Sequence, residues 1–389
     1  MKQLDKPRYK VVGEIPRFDE RENVHARGEL EPGAPEWKMF YEKHPEWEKL
    51  DLETKAAPGV GRVGHPWDLA MVGGQIPIPG MFGSLDMVDG PVSPVKQKIE
   101  PARAAEKIKG LARHLGADLV GIGPLNQSHV YSHAGKIVQC PGKVRGAPID
   151  LPHKHAVVFA VGTNTDLLKT GPVVPMFLEI LRAYTILGKI SVAMAGYIRA
   201  LGYPARAHNL CNYQVVIPPI AIDAGMGELS RMGIMMTKEF GPAIKLSVVT
   251  TDIPLPHDPP VDIGVEEFCR DCKICADSCP SGSIPQGGMV TDRGVTKWVI
   301  NPEACYRMWC ESGTDCGICI ASCPWTKPKT AFHNLCKQIA TRKFKAGLWM
   351  SWGEKLMYGD FRMKHAPGWL ETPDISVLQT KYKRLRGPK

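Results

Sequence analysis

The cysteines constrain this chain more than any other feature. Of twelve, ten fall between residues 269 and 336, and only Cys140 and Cys211 stand apart. The first run, Cys269-x2-Cys272-x2-Cys275-x3-Cys279-Pro280, has the spacing of bacterial two-cluster ferredoxins. Three thiolates at three-residue intervals curl around one iron–sulfur cube, and the fourth, followed by Pro, leaves toward a second cube. A second run, Cys316-x2-Cys319-x3-Cys323-Pro324, lacks the near third cysteine. Two upstream residues, Cys305 and Cys310, compete for that place, and spacing alone leaves the choice open. Structural zinc is the rival reading of CxxC pairs. It needs neither a third Cys in close series nor Pro after the last Cys of both runs. Crossed pairing therefore predicts two 4Fe-4S clusters: Cys269, Cys272 and Cys275 with Cys323, and Cys316, Cys319 and an upstream cysteine with Cys279. Cys140, Cys211 and Cys336 have no partner motif and read as small buried hydrophobes.

Composition removes several classes. A chain of 389 residues with 43% hydrophobic and 23% charged residues is neither disordered nor a coiled coil. No apolar run approaches the roughly 18 residues of a membrane helix, the longest lying near 190–198. The net charge of +9 invites nucleic acid. Much of the excess sits in the tail, 380–389, however, and two cubes at about −2 each lower the sum further, so nucleic acid is disfavoured. The first ten residues contain neither an apolar core nor a twin arginine. That reads as cytoplasmic, or as an exported, membrane-associated form whose twin-arginine signal has been removed.

Residues 1–95 are polar and rich in Pro and Gly, with scattered aromatics such as Trp37, Tyr41, Trp47 and Trp67. They read as an extended N-terminal arm without a core of its own. From residue 96 the pattern sharpens. Ile108, Leu111 and Leu115 keep helical spacing, 176–201 is a long helix, and 118–123, 156–161, 213–217 and 243–250 read as strands. Alternating helices and strands make 96–255 an α/β core. A ferredoxin-type domain follows over 256–335. The last segment, 336–389, with Trp349, Trp352 and Trp369, is expected to pack back on the body.

No GxGxxG, P-loop or Asp-x-His-x-x-Gly segment is present. Instead, the stretches 184–192 (YTILGKISV), 201–208 (LGYPARAH), 218–231 (PPIAIDAGMGELSR), 237–245 (TKEFGPAIK) and 249–254 (VTTDIP) together resemble the core of corrinoid reductive dehalogenases. The second cysteine run, from Cys305-Tyr-Arg-Met-Trp309 to Cys323-Pro-Trp325, is similar as well, and the resemblance places the detached ligand at Cys305. It implies an α/β (α+β) fold: a nitroreductase-like core binding cobalamin base-off, a ferredoxin-like two-cluster domain and a wrapping arm. It also implies reductive cleavage of a carbon–halogen bond in an organohalide. Tyr184 would be the proton donor, with Lys245 beside it lowering its pKa, and Asn212 would belong to the site, or Asn209 if a local insertion intervenes. Pro219, Ile220, Gly225, Gly227, Phe240 and Gly241 would contact the cobalamin. Aromatics of the arm and Trp309 would shape the substrate pocket. Periodicity alone makes Tyr184 a core residue, in line with Phe177, Leu181, Leu187 and Ser191, and Lys245 a strand-end lysine. The family's fused flavin reductase module is not seen, so a separate ferredoxin or flavodoxin, or a membrane-side donor, would supply electrons; a homodimer is compatible. The alternatives are epoxyqueuosine reductase, a tRNA-modifying relative with an acidic proton donor, and a flavin-bearing electron carrier.

Overall fold

The computed structural model describes residues 2–138, 140, 142–326, 330–340 and 346–388. Four strands, β1 (Leu119–Pro124), β2 (His155–Gly162), β3 (Ala205–His208) and β4 (Ile244–Thr251), form the central sheet. Their order is β1-β2-β4-β3, and every neighbouring pair is antiparallel. The alternation of strands and helices thus builds a mixed helix-and-strand layer rather than a parallel sheet.

β2 is an apolar run because both its faces are covered. Val157, Phe159 and Val161 pack with Leu187, Ile190 and Met194, whereas Ala156, Val158 and Ala160 pack with Ile220 and Ala221. The first face carries helices α1 (Pro101–His114) and α2 (Val174–Ala200), and the second carries the short α3 (Ile217–Asp223). α1 starts where Pro101 occupies the first turn and the Glu100 carboxylate accepts from the Ala102 and Arg103 amides at 2.9 and 2.6 Å.

Three expectations change. The arm is largely helical, over Pro35–Lys43, Pro45–Lys55 and Pro66–Gln75, each with Pro in its first turn. It also holds a small core of its own in Leu30, Trp37 and Tyr41. It touches the body at two places: Phe82 lies so close to Gly188 of α2 that a Cβ there would meet its ring at 2.7 Å, and Lys2–Gln3 pairs with Val261–Asp262. Residues 213–217 are not a strand. Val215 makes one bridge to Val130, and α3 begins at Ile217. Pro218 and Pro219 have no N–H for a ladder but suit a first helical turn. Finally, the C-terminal segment packs back through Met363, Leu370, Ile375 and Leu385, while Trp349, Trp352 and Trp369 stay 71%, 63% and 60% exposed. Among the described residues no helix is long and apolar enough to cross a membrane.

The cysteine-rich region forms α4 (Val265–Cys272), α5 (Ile274–Ser278), α6 (Pro302–Ser312) and α7 (Ile318–Ser322). α5 and α7 lie against each other. This region lies against the starts of α2 and β4, where a Cβ on Gly317 would meet the Met176 sulfur at 3.3 Å and Asp315 Oδ2 stands 3.8 Å from Lys245 Nζ.

Candidate functional site

The two cysteine loops are built alike. Lys273, between Cys272 and Cys275, has φ 55 and ψ 0, and Gly317, between Cys316 and Cys319, has φ 64 and ψ −5. This left-handed residue turns the following amide back, so Ile274 N–H donates to the Cys272 sulfur and Ile318 N–H to the Cys316 sulfur. Cys279 and Cys323, each before Pro, are extended, with ψ 113 and 130. A residue before Pro is steered away from helix, so each fourth cysteine leaves its own loop for the other.

The outcome is two groups of thiols. Cys323 faces Cys269, Cys272 and Cys275. Cys316 and Cys319 face Cys305 and Cys279. Cys310 stands apart, its thiol paired with the Tyr306 hydroxyl. Cys140 and Cys211 are buried away from both groups, and the side chain of Cys336 lies outside the described residues. Burial pushes the Cys269 and Cys305 thiols up to about 12 and Cys275 to about 11. Loading iron must therefore displace protons from these sulfurs. Among the described residues no three His, Cys, Asp or Glu side chains close on a single-ion site. Grouped thiols with amides aimed at sulfur fit a cube.

The second thiol group lines one end of a cavity of about 480 Å³. Tyr184 reaches it from α2 and Lys245 from the start of β4. Lys245 Nζ stands 5.2 Å from the centroid of the Tyr184 ring and 3.8 Å from Asp315 Oδ2. Burial pulls the Lys245 ammonium down, but the Tyr184 hydroxyl and the Asp315 carboxylate outweigh it, and its pKa lies above the ordinary lysine value. Lys245 is therefore a cation at neutral pH. Burial raises Asp315, with Lys245 opposing.

A second cavity of about 610 Å³ adjoins the first. His25, Tyr131, Pro218, Gly233 and Ile300 line both. The walls are mostly apolar and aromatic: the His25 ring lies 4.7 Å from Tyr306 and 5.6 Å from Trp309. Burial, with Lys136 and Lys245 nearby, lowers His25 to about 4, so it is neutral at pH 7. Two confluent apolar chambers beside a cysteine cage have room for a large flat cofactor, and the residues present fit one.

Several expected residues lie elsewhere. Asn212 is fully buried and does not line either cavity. Its Oδ1 accepts from Arg206 at 2.8 Å and its Nδ2 donates to the Gly83 carbonyl at 2.9 Å. Asn209 likewise donates to the Phe82 carbonyl at 2.8 Å. Both amides hold the arm rather than meeting Tyr184. Of the six expected cofactor contacts, Pro219 lines the second cavity. Ile220 is buried against β2, and the Phe240 ring covers Gly162 of that strand. The three glycines serve chain-to-chain approach: a Cβ would lie 2.3 Å from the Pro259 carbonyl at Gly225, 2.0 Å from that of Met236 at Gly227, and 2.8 Å from Trp325 at Gly241.

Asp315 and His25 are site residues that sequence reasoning missed. Asp315 is masked by its position one residue before a cluster cysteine, and His25 by a helix in a segment read as irregular. The Pro-first helix starts were the available signal for the arm.

The 4Fe-4S dicluster domain family matches residues 268–327. The tetrachloroethene reductive dehalogenase of Desulfitobacterium hafniense is 31% identical over 324 residues, 69% of this chain and 58% of that protein. That of Sulfurospirillum multivorans is 31% identical over 291 residues, 67% and 58%. The solved structure of the catabolic reductive dehalogenase NpRdhA in complex with 3-bromo-4-hydroxybenzoic acid superposes with a TM-score of 0.76 at 26% identity, covering 92% of this chain and 49% of that one. The chain thus spans somewhat over half the length of these curated relatives. Epoxyqueuosine reductase of Aliivibrio fischeri is a more distant relative, 30% identical over 115 residues, 28% of this chain.

Proposed function

Because this chain is a homologue of the reductive dehalogenases, we propose that it reduces an organohalide: two electrons and one proton convert R–X to R–H and halide. A corrinoid is implied by the family, and when bound and reduced it supplies the strongly reducing, nucleophilic cobalt that such a cleavage needs. The confluent cavities would hold it, with the arm residue His25 lining one side and Tyr184 and Lys245 the other. Cys269, Cys272, Cys275 and Cys323 hold the outer cluster, and Cys305, Cys316, Cys319 and Cys279 the one at the cavity wall. A separate reduced carrier, a ferredoxin or flavodoxin, supplies the electrons.

The observation that carries the reading is the pair in the cavity. The Tyr184 hydroxyl gives its proton to the carbon as halide leaves, and the Lys245 ammonium steadies the phenolate that remains. Asp315 holds Lys245 in place. The apolar walls keep bulk water from competing as proton source.

Anaerobic reconstitution with cobalamin and iron–sulfide, followed by a halide-release screen over chlorinated ethenes and brominated phenols, tests this. Halide release that needs both cofactors is expected. Fully loaded protein that releases halide from neither class refutes it.

A further inference from the structure

A tight hairpin, Glu228–Leu229 paired with Met235–Met236, drives Arg231 from the core into the cysteine-rich region. The turn is closed by the Ser230 amide and hydroxyl, both donating to the Ile234 carbonyl, the latter at 2.7 Å. Arg231 is 1% exposed. Its guanidinium donates to the carbonyls of Cys269 at 2.9 Å, Arg270 at 3.1 Å, Pro285 at 2.9 Å and Gly287 at 2.7 Å. Its flat face covers Trp298 at 4.8 Å.

All four bonds go to neutral carbonyls and none to a carboxylate. Buried arginines ordinarily have an anionic partner, because a lone charge in a low-dielectric interior is costly. The groups that face this guanidinium electrostatically are Cys275, Cys269 and Cys272. The second cage differs. The cations near it are Lys245, already matched by Asp315 at 3.8 Å, and Arg384, which donates to the Cys279 carbonyl at 3.4 Å but is solvent-exposed. Among the described residues, one cage therefore has a buried fixed cation bonded only to carbonyls, and the other a compensated pair and a solvated arginine.

We propose that Arg231 is the built-in counter-ion of the outer cluster, raising that cluster's reduction potential relative to the inner one. Reduction adds one negative charge to a cube that already carries about −2. A fixed cation stabilises the reduced form more than the oxidised form, so the potential rises. The carbonyl bonds fix where the charge sits, and the protein interior screens it little. An outer cluster that is easier to reduce accepts electrons readily from a carrier and holds them while the cavity is loaded. Arg231 touches neither Tyr184 nor Lys245, and is a positioning residue. The proposal rests on the cluster reading of the cysteines and on no feature of the dehalogenation step.

The test is a redox titration of the reconstituted holoenzyme followed by EPR, with iron counted, in the parent, Arg231→Gln and Arg231→Lys. Two cluster signals are expected in the parent. Arg231→Gln should lower one midpoint potential, leave the other unchanged and keep eight irons. Arg231→Lys, which retains the charge, should restore most of the shift. Unchanged potentials in Arg231→Gln, or equal shifts of both clusters, would overturn the proposal. If Arg231→Gln fails to hold iron, Arg231→Lys decides: eight irons at near-parent potentials support the counter-ion. Loss of iron there as well makes Arg231 a scaffold for the loop carbonyls and overturns its electrostatic role. Absence of two cluster signals in the parent would overturn the cluster reading together with the proposal.

Discussion

Replacing Tyr184 by Phe separates chemistry from packing more sharply than any other change. The ring touches both large hydrophobic clusters, one with Phe177 and Leu181 and one with Leu187 and Ile190. Phe retains those contacts. The hydroxyl faces Lys245, which keeps Asp315 at 3.8 Å when the hydroxyl is gone. No buried charge is stranded, so stability should change by about 1 kcal/mol or less, and the melting temperature by under about 3 °C. A positioned general acid contributes on the order of 10²-fold or more, at least about 2.7 kcal/mol of barrier. Halide release should therefore fall by about two orders of magnitude while cobalamin and iron contents stay at parental values. Lys245→Met differs in kind, because it leaves the Asp315 carboxylate alone. Breaking a fully buried pair costs 3–5 kcal/mol in general; with these side chains 18% and 15% exposed, about 2 kcal/mol is expected, along with lost activity. The assay is anaerobic halide release with an artificial low-potential reductant, beside a metal and corrinoid count and a thermal melt. Activity within about twofold of the parent in Tyr184→Phe, with cofactors intact, would refute the proton-donor role and leave only the packing one.

Cys305→Ser should lose about one iron per chain or shift one cluster's potential, whereas Cys310→Ser, whose thiol pairs with Tyr306, should keep all eight; iron analysis of the reversed pattern would exchange their roles. With cobalamin loaded, EPR of the Co(II) state should show no nitrogen splitting from a protein imidazole, and a triplet lost in His25→Ala would show that His25 binds the cobalt and refute the expectation that no histidine does. Burial raises Asp223 from 3.8 to about 6 against the 2.7 Å hydrogen bond from Tyr9. A raised folded pKa gives stability that is fully present below the unfolded value and lost as pH rises through about 6. Asp223→Asn should therefore gain up to about 3 kcal/mol on the parent between pH 4 and 7; parallel melting curves across that range would refute it.

The two groups of thiols were legible in the sequence because their geometry is local. Cysteines three residues apart must share a loop, and Pro after a cysteine must send it outward, so the crossed sets follow from spacing once the upstream member is chosen. The central strand and the long helix were legible too, since 156–161 is apolar throughout and 176–201 keeps a helical stripe. Whether Cys305 or Cys310 faces the cage was not readable from spacing, because α6 carries both, and only its docking turns Cys305 toward Cys316 and leaves Cys310 beside Tyr306 of the same helix. The arm's helices were obscured by their short length and polar surface, which mask a core of only three side chains. Tyr184 and Lys245 are far apart in the chain, and each alone is an ordinary core tyrosine or strand-end lysine. They meet because β4 pairs with β2 under α2, which puts Lys245 opposite Val161. Asp315, His25 and Arg231 come to their sites through other elements. Spacing decides what one loop can hold, whereas the pairing of side chains from different elements is set by packing, and only the tertiary structure decided it.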